Sequence, residues 1–330
     1  MKRMLAAVMA VVMLISCRAL AMGDSVSFVL LCDSRHGSFC NTVRDAFEKA
    51  SQEMGFELVT AVPEAGQTVQ GLLAHYTNTD ADAVFIAEEE YADVYPFHIY
   101  NDVLNIDTGT WHNSDCRYET RIDAFDAGVL AGKIVEEMAR QTGGQGEIAV
   151  IAELDPEDVI QEKLIYEIEE AVREGNYPGM KLADTQWISS AYENYTGAYM
   201  AVQRLISRNP EMKGIIAVTP TDLEGAAMCI NDYGLAGKIG LTGIGRPSVM
   251  VECIRSGVCE GMYIMDAAWL AHCMACVSAS AVSGERCLIM DEYASEGDSG
   301  AYGGHVYEKV YTGNAIYVDS SNIGEWKTGY

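Results

Sequence analysis

Uninterrupted apolar runs alternate with stretches in which apolar residues return every three or four positions, and this alternation continues over most of the chain. Val26–Cys32 is one such run, and a short unbroken apolar run reads as a buried strand. After it, Val43, Phe47, Ala50 and Met54 recur at intervals of 4, 3 and 4, one face of a helix that ends at Gly55. Phe56–Ala61 predicts a second strand, Val69–His75 a second helix, Ala83–Ala87 a third strand and Val103–Ile106 a fourth. The stretch 88–101 is short for a helix, and its Tyr91, Tyr95, Pro96, Phe97 and His98 predict an irregular aromatic loop.

The rhythm then restarts. Ala124–Arg140 predicts a helix closed by Gly143 and Gly144, followed by a strand at Glu147–Ala152. Ile160, Leu164, Ile168 and Val172 mark the next helix, and Leu182–Trp187 the next strand. Tyr195, Tyr199, Val202 and Ile206 lie on a helix that stops before Pro210. Strands at Gly214–Val218, Ile239–Gly243 and Gly261–Ile264 are separated by helices at Leu223–Tyr233 and Val249–Ser256, and a long helix runs from Ala267 to about Val282. Alternating strands and helices specify an α/β protein with parallel sheets. The strands are apolar throughout, as sheets covered on both faces require. Two such series in succession imply two domains.

In open parallel sheets a ligand sits just beyond the carboxyl ends of the strands. The loops so selected are 33–39, 88–90, 107–112, 153–158, 189–192, 219–222, 244–247 and 265–269, rich in aromatic, hydroxyl and carboxylate side chains. Such a lining suits a small polar organic molecule.

The start of the chain stands apart. Lys2 and Arg3 precede an uncharged apolar run from Leu5 to Ile15, the layout of a secretory signal and too short for a permanent span. Two processing sites fit residues 1–21. Leu14-Ile15-Ser16-Cys17 matches a lipobox, which would lipidate Cys17; Ala19-Leu20-Ala21 matches an A-x-A site, which would release a soluble chain. No later run has 18 apolar residues, so no membrane span is predicted.

The net charge is −26, and becomes −29 without Lys2, Arg3 and Arg18. A polyphosphate would be repelled, which argues against nucleic acid as a partner. Of ten cysteines, nine remain without Cys17, an odd number at irregular spacing. Cys253 and Cys259 are spaced so that an oxidising compartment would allow a bridge. Cys273-x-x-Cys276 with His272 falls within a long helical pattern and reads as core packing, so no metal site and no cofactor is assigned. The chain has no G-x-x-x-x-G-K-S/T, G-x-S-x-G or H-E-x-x-H motif. Asp155, Glu157 and Asp158 read as the acidic first turn of a helix. No catalytic residue is assigned, and an enzyme is not expected.

Particular segments resemble those of type 1 periplasmic binding proteins, the ribose- and galactose-binding group of ABC-transporter receptors. Asp123-Ala124-Phe125-Asp126-Ala127-Gly128-Val129-Leu130-Ala131-Gly132 matches the segment that opens the family's second lobe. Ile106-Asp107 matches its fourth strand ending in aspartate, and Gly37-Ser38-Phe39-Cys40 stands at its aromatic turn. Ala198–Ala217, Gly225-Ala226, Gly234-Leu235 and Gly243 also fall in place, so the likeness runs from about Val26 to about Val282.

The resemblance implies two Rossmann-like lobes with parallel sheets, 24–121 plus 266–310 and 122–265 plus 311–330. Three hinge crossings, near Arg121–Ile122, Met265–Asp266 and Lys309–Thr312, would join them. It further implies a monomeric extracytoplasmic solute-binding protein, in the periplasm or at the cell surface. Such a protein captures a small ligand, a carbohydrate by preference, and delivers it to an ABC transporter permease. Its only membrane attachment would be a lipid on Cys17. The alternatives are a receptor of the same fold that feeds a sensor kinase or chemoreceptor, a nucleoside-binding member, and an enzyme using the cleft. The ligand-binding residues carried over are Phe39, Asp107, Thr108, Thr219 and Asp266, with His36, Trp111 and Arg246 as replacements for family residues missing here. Cys40 replaces a second stacking aromatic, Thr108 an arginine, Thr219 an asparagine, Gly245 an aspartate and Met265 a glutamine, and Leu164 stands at a second arginine position. These departures argue against ribose itself.

Overall fold

The computed structural model describes residues 25–32, 38–87, 97–100, 104–107, 118–154, 159–175, 177–183, 185–189, 195–284, 294–296 and 309–326. Its first sheet has the order β2-β1-β3-β4, from β1 (Ser27–Cys32), β2 (Glu57–Ala61), β3 (Ala83–Ala87) and β4 (Phe97–Tyr100). The first three strands are mutually parallel, and β4 runs antiparallel to β3 with Phe85 opposite Ile99. Successive residues of β1 face opposite sides of the sheet. Phe28, Leu30 and Cys32 enter one core with Phe47 and Phe85, whereas Val29 and Leu31 enter another with Val69 and Ile86. Helix α1 (Ser38–Met54) covers the first face and α2 (Val69–Tyr76) touches the second.

The second sheet joins β7 (Gln145–Leu154), β8 (Gly179–Leu182), β10 (Met212–Ala217) and β11 (Gly240–Gly243) in the order β11-β10-β7-β8, all parallel, with β9 (Gln186–Ser189) also on β7. Its two faces divide by the same alternation. Ile148, Val150 and Ala152 pack with α3 (Ala127–Thr142) and α4 (Val159–Glu174). Ala149 and Ile151 pack with α5 (Thr196–Arg208) and α6 (Pro220–Asp232). Helix α7 (Pro247–Arg255) and β12 (Gly261–Ile264) follow, and then α8 (Ala267–Ser283) returns to the first core, where it packs on α1.

Two further sheets connect the cores. β5 (Leu104–Asp107), β6 (Tyr118–Asp123), β14 (Lys309–Thr312) and β13 (Ala294–Glu296) form the order β13-β14-β6-β5. β12 pairs antiparallel with β15 (Ile316–Asp319). The chain passes between cores at three places. Ile122 and Tyr311 belong to the first core, as does Ala267, while Ala124, Ile264 and Val318 belong to the cores of the second sheet.

Two expectations need correction. The aromatic stretch before Leu104 is not all loop, because Phe97–Tyr100 adds an antiparallel edge to β3. The strand expected at Leu182–Trp187 is two short strands on successive parts of β7. The expected α/β fold with parallel sheets is present, with antiparallel pairs added at β4, β13 and β15. Cys253 and Cys259 are both thiols in this structure rather than a bridged pair, as are Cys32, Cys40, Cys229, Cys273 and Cys276. No helix among the described residues is long and apolar enough to cross a membrane.

Candidate ligand-binding site

Three expected ligand residues follow the ends of neighbouring strands, two in the second sheet and one in the β12–β15 pair bridged to it. Thr219 follows β10, Arg246 follows β11 and Asp266 follows β12, each half-buried at the carboxyl end of its strand. The three ends are in register. Ala217 lies opposite Gly243, and Ile244 N–H donates to the Ala217 carbonyl at 3.0 Å. Gly245 N–H donates to the Tyr263 carbonyl at 2.9 Å, which ties the second loop to the third. Each residue also opens a helix. The Thr219 hydroxyl accepts from Asp222 N–H at 3.1 Å, and the Asp266 carboxylate accepts from Trp269 N–H at 2.9 Å. Arg246 holds the corresponding position before α7, with Pro247 in the first turn. The Thr219 and Asp266 side chains are thus fixed in direction by their own helices, whereas Arg246 makes no side-chain capping bond.

Gly243 makes these strand ends close-packed. Its φ is +147°, and a Cβ there would stand 1.8 Å from the Ala217 carbonyl oxygen. Only glycine lets β11 approach β10 this nearly as the chain turns toward Arg246.

Asp107 ends β5 opposite Arg121 of β6, and Arg121 in turn lies opposite Val310 of β14. The strand that carries Asp107 is therefore bonded to the strand that makes the first crossing. All three crossings meet nearby. Gly313 N–H donates to the Asp123 carbonyl at 2.9 Å, Gly313 abuts the Trp269 ring, and Ile264 lies opposite Ile316.

Phe39 does not present the expected stacking face. None of its surface is exposed, and it lies in the apolar core with Phe47, Phe85 and Met274. An aromatic in the first turn of α1 gains more from this core than from solvent, so here it anchors the helix. Cys40 beside it is also buried, and its thiol donates to the Ala87 carbonyl at the end of β3, at 3.6 Å. His36, Thr108 and Trp111 lie outside the described residues, as does Cys17.

A network of charged and polar side chains lies at the other end of the second sheet. Glu137 is buried on α3 and accepts from Arg140 at 2.7 and 2.6 Å and from Gln141 at 2.8 Å. Burial pushes its carboxyl up, but the hydrogen bonds from Arg140, Gln141 and Tyr317 outweigh this and hold it below the usual carboxylate range. Burial, then the Glu137 charge, raises the Tyr317 phenol, and burial pushes Tyr263 up to about 12. Gln141 exchanges hydrogen bonds with both backbone groups of Leu241, near the start of β11. This network braces α3 on the sheet; sequence reading missed it, since its members are spread from Glu137 to Tyr317.

The model of the periplasmic binding protein domain matches residues 105–286. The chain belongs to that family. A search of curated protein sequences finds no significant match. Among solved structures, the fold of this periplasmic binding protein is similar to a sugar ABC transporter protein from Actinomyces odontolyticus. That pair is 17% identical, covers 91% of this chain and 97% of the other, and has a TM-score of 0.63. A solute-binding protein from Burkholderia graminis, in complex with D-arabinose, is 16% identical over 93% and 100% of the two chains, with a TM-score of 0.60. Another from Clostridium phytofermentas, with bound L-rhamnose, is 18% identical over 92% and 99%, with a TM-score of 0.59. The order β8-β7-β10-β11 and the antiparallel β12–β15 pair thus belong to a type 1 periplasmic-binding fold, and the family is one of binding proteins.

Proposed function

We propose that this chain captures a small sugar between two lobes outside the cytoplasm and presents it to an ABC transporter permease. The observation that carries the reading is the convergence of Thr219, Arg246 and Asp266 on adjacent strand ends of a periplasmic-binding fold, beside the place where the chain crosses three times. A hydroxyl, a guanidinium and a carboxylate supply donors and acceptors that suit sugar hydroxyls. Solved relatives of the same fold hold L-rhamnose, D-arabinose and D-allose.

In this reading the lobes are 24–121 plus 266–310 and 122–265 plus 311–330, and bending at the three crossings closes them on the ligand. The first lobe would contribute Asp107 at the end of β5, Thr108 and Trp111 from the residues after it, and His36 from those after β1. The protein acts as a monomer, and Cys17 carries the lipid where the lipobox is used.

The test is thermal unfolding of the purified protein with a panel of aldoses, deoxy sugars, ketoses and nucleosides. A bound sugar at a hundredfold excess over its Kd adds about 2.7 kcal/mol of stability. A clear Tm rise with one or a few sugars is the expected result. A flat response to every sugar, with a rise for a nucleoside or none at all, would overturn the proposal.

A further inference from the structure

We propose that Glu53, His272 and Cys276 form a site for a Zn2+-like cation that clamps α1 to α8, separate from the sugar-binding edge. His272 and Cys276 are four residues apart on α8 and so share one helix face. Glu53 reaches them from the last turn of α1. The three ligand atoms all lie within 4.8 Å of one another. His272 Nε2 is 3.7 Å from the Cys276 sulfur and 2.6 Å from Glu53 Oε2.

The donor set is an imidazole, a thiol and a carboxylate, the three kinds of ligand that zinc takes. With metal–ligand bonds of about 2.0–2.3 Å, tetrahedral ligands stand roughly 3.3–3.8 Å apart. The imidazole–sulfur separation already falls in that interval. The Glu53 oxygen has to draw back by roughly 0.7 Å, and the side chain has room to do so, being 31% exposed against 11% for His272. Lys49 lies 3.9 Å from the other carboxylate oxygen, Oε1, so Oε2 is the one turned to His272. Cys276 is fully buried, which places the soft ligand at the base of the site and the hard one at its mouth. On binding, the Cys276 thiol gives its proton to solvent and the thiolate bonds the metal. Along α8, His272 and Cys276 lie six and ten residues beyond the capping Asp266, about 9 and 15 Å, so the ion sits on the body of the helix and not at its capped end. The set joins residues more than two hundred positions apart, and pairs Cys276 with Glu53 rather than with its C-x-x-C neighbour Cys273.

The experiment titrates the purified full chain, reduced and freed of metal by chelation, with Zn2+ against a competing indicator, and with Co2+ as a spectroscopic probe. One equivalent of Zn2+, a rise in Tm, and a thiolate-to-cobalt charge-transfer band are expected. His272→Gln and Cys276→Ser should lose the band and the bound equivalent. Glu53→Gln alters a partly exposed group, so it keeps the test decisive where an interface variant fails to fold, and it should weaken Zn2+ binding. Cys253→Ser, at a thiol elsewhere in the molecule, should change neither. Absence of the band from the native chain, or its persistence in His272→Gln, would overturn the site. Sugar-induced Tm shifts measured on the same variants should be unchanged, which separates this outcome from that of the sugar reading.

Discussion

Gly313 lies directly against the indole of Trp269. A Cβ on Gly313 would stand 2.7 Å from Trp269 Cε3 and 2.6 Å from the Ala124 carbonyl oxygen. One glycine thus sits where the first crossing, the third crossing and the first turn of α8 meet. Gly313→Ala should cost about 1–3 kcal/mol through overpacking. It should also change sugar affinity if the crossings bend as the proposed function requires. Chemical denaturation with a sugar titration checks both, and an unchanged Kd would remove the junction from the closing motion.

Gly243 should be the least replaceable residue at the ligand edge. Gly243→Ala combines an unfavourable φ with a clash against the Ala217 backbone. The two effects together should cost about 3 kcal/mol or more. Urea unfolding measures the loss, and a cost below about 0.5 kcal/mol would contradict the geometry.

Asp266 caps α8, and the proposed function gives its carboxylate a second, separable duty toward the ligand. Asn caps as well as Asp, whereas Ala does not. Asp266→Asn should therefore keep Tm and lose sugar affinity, while Asp266→Ala should lose about 1 kcal/mol of stability as well. Isothermal titration beside thermal unfolding separates them, and full affinity in Asp266→Asn would confine the residue to capping.

At the brace under the second sheet, the sign of the pH dependence follows from each shift. Glu137 is held below its ordinary value, so its contribution is full above that value and disappears as pH falls through the lowered one. Glu137→Gln should flatten the acid limb of the stability profile. Tyr263 is raised from 10.0 to about 12, so its contribution is full below pH 10 and is lost as pH rises toward 12. Tyr263→Phe should flatten the alkaline limb. Unfolding free energies across pH, native chain against each variant, read both.

Much of the fold was legible because the strands and helices are long enough to show their own periodicity. Ala83–Ala87 and Gly261–Ile264 are strands at the predicted bounds, and Gly143 closes α3 in the left-handed conformation expected of it. Phe97–Tyr100 escaped because an edge strand pairs by its backbone, which the mixed residues Phe97, His98, Ile99 and Tyr100 do not advertise. The break between β8 and β9 escaped because continuity along β7 is a matter of partner, not of local pattern. Thr219, Arg246 and Asp266 were found as strand-end residues, but Phe39 shows the limit of that rule. Whether an aromatic there faces a ligand or the core depends on what packs over it, and here α8 does.

The sequence alone determined the helices and most of the strands up to Ile264, the alternation that buries both faces of the first two sheets, and the family resemblance. These follow from interactions within a few residues or from the repeat of one apolar pattern. Tertiary structure alone decided that Gly313 packs against Trp269 and bonds Asp123 where the expected crossings meet, that Glu137 is braced by Tyr317, and that Glu53 meets His272 and Cys276. Contacts between residues so far apart depend on how whole elements pack, and packing is a property of the assembled volume that no local stretch of chain encodes.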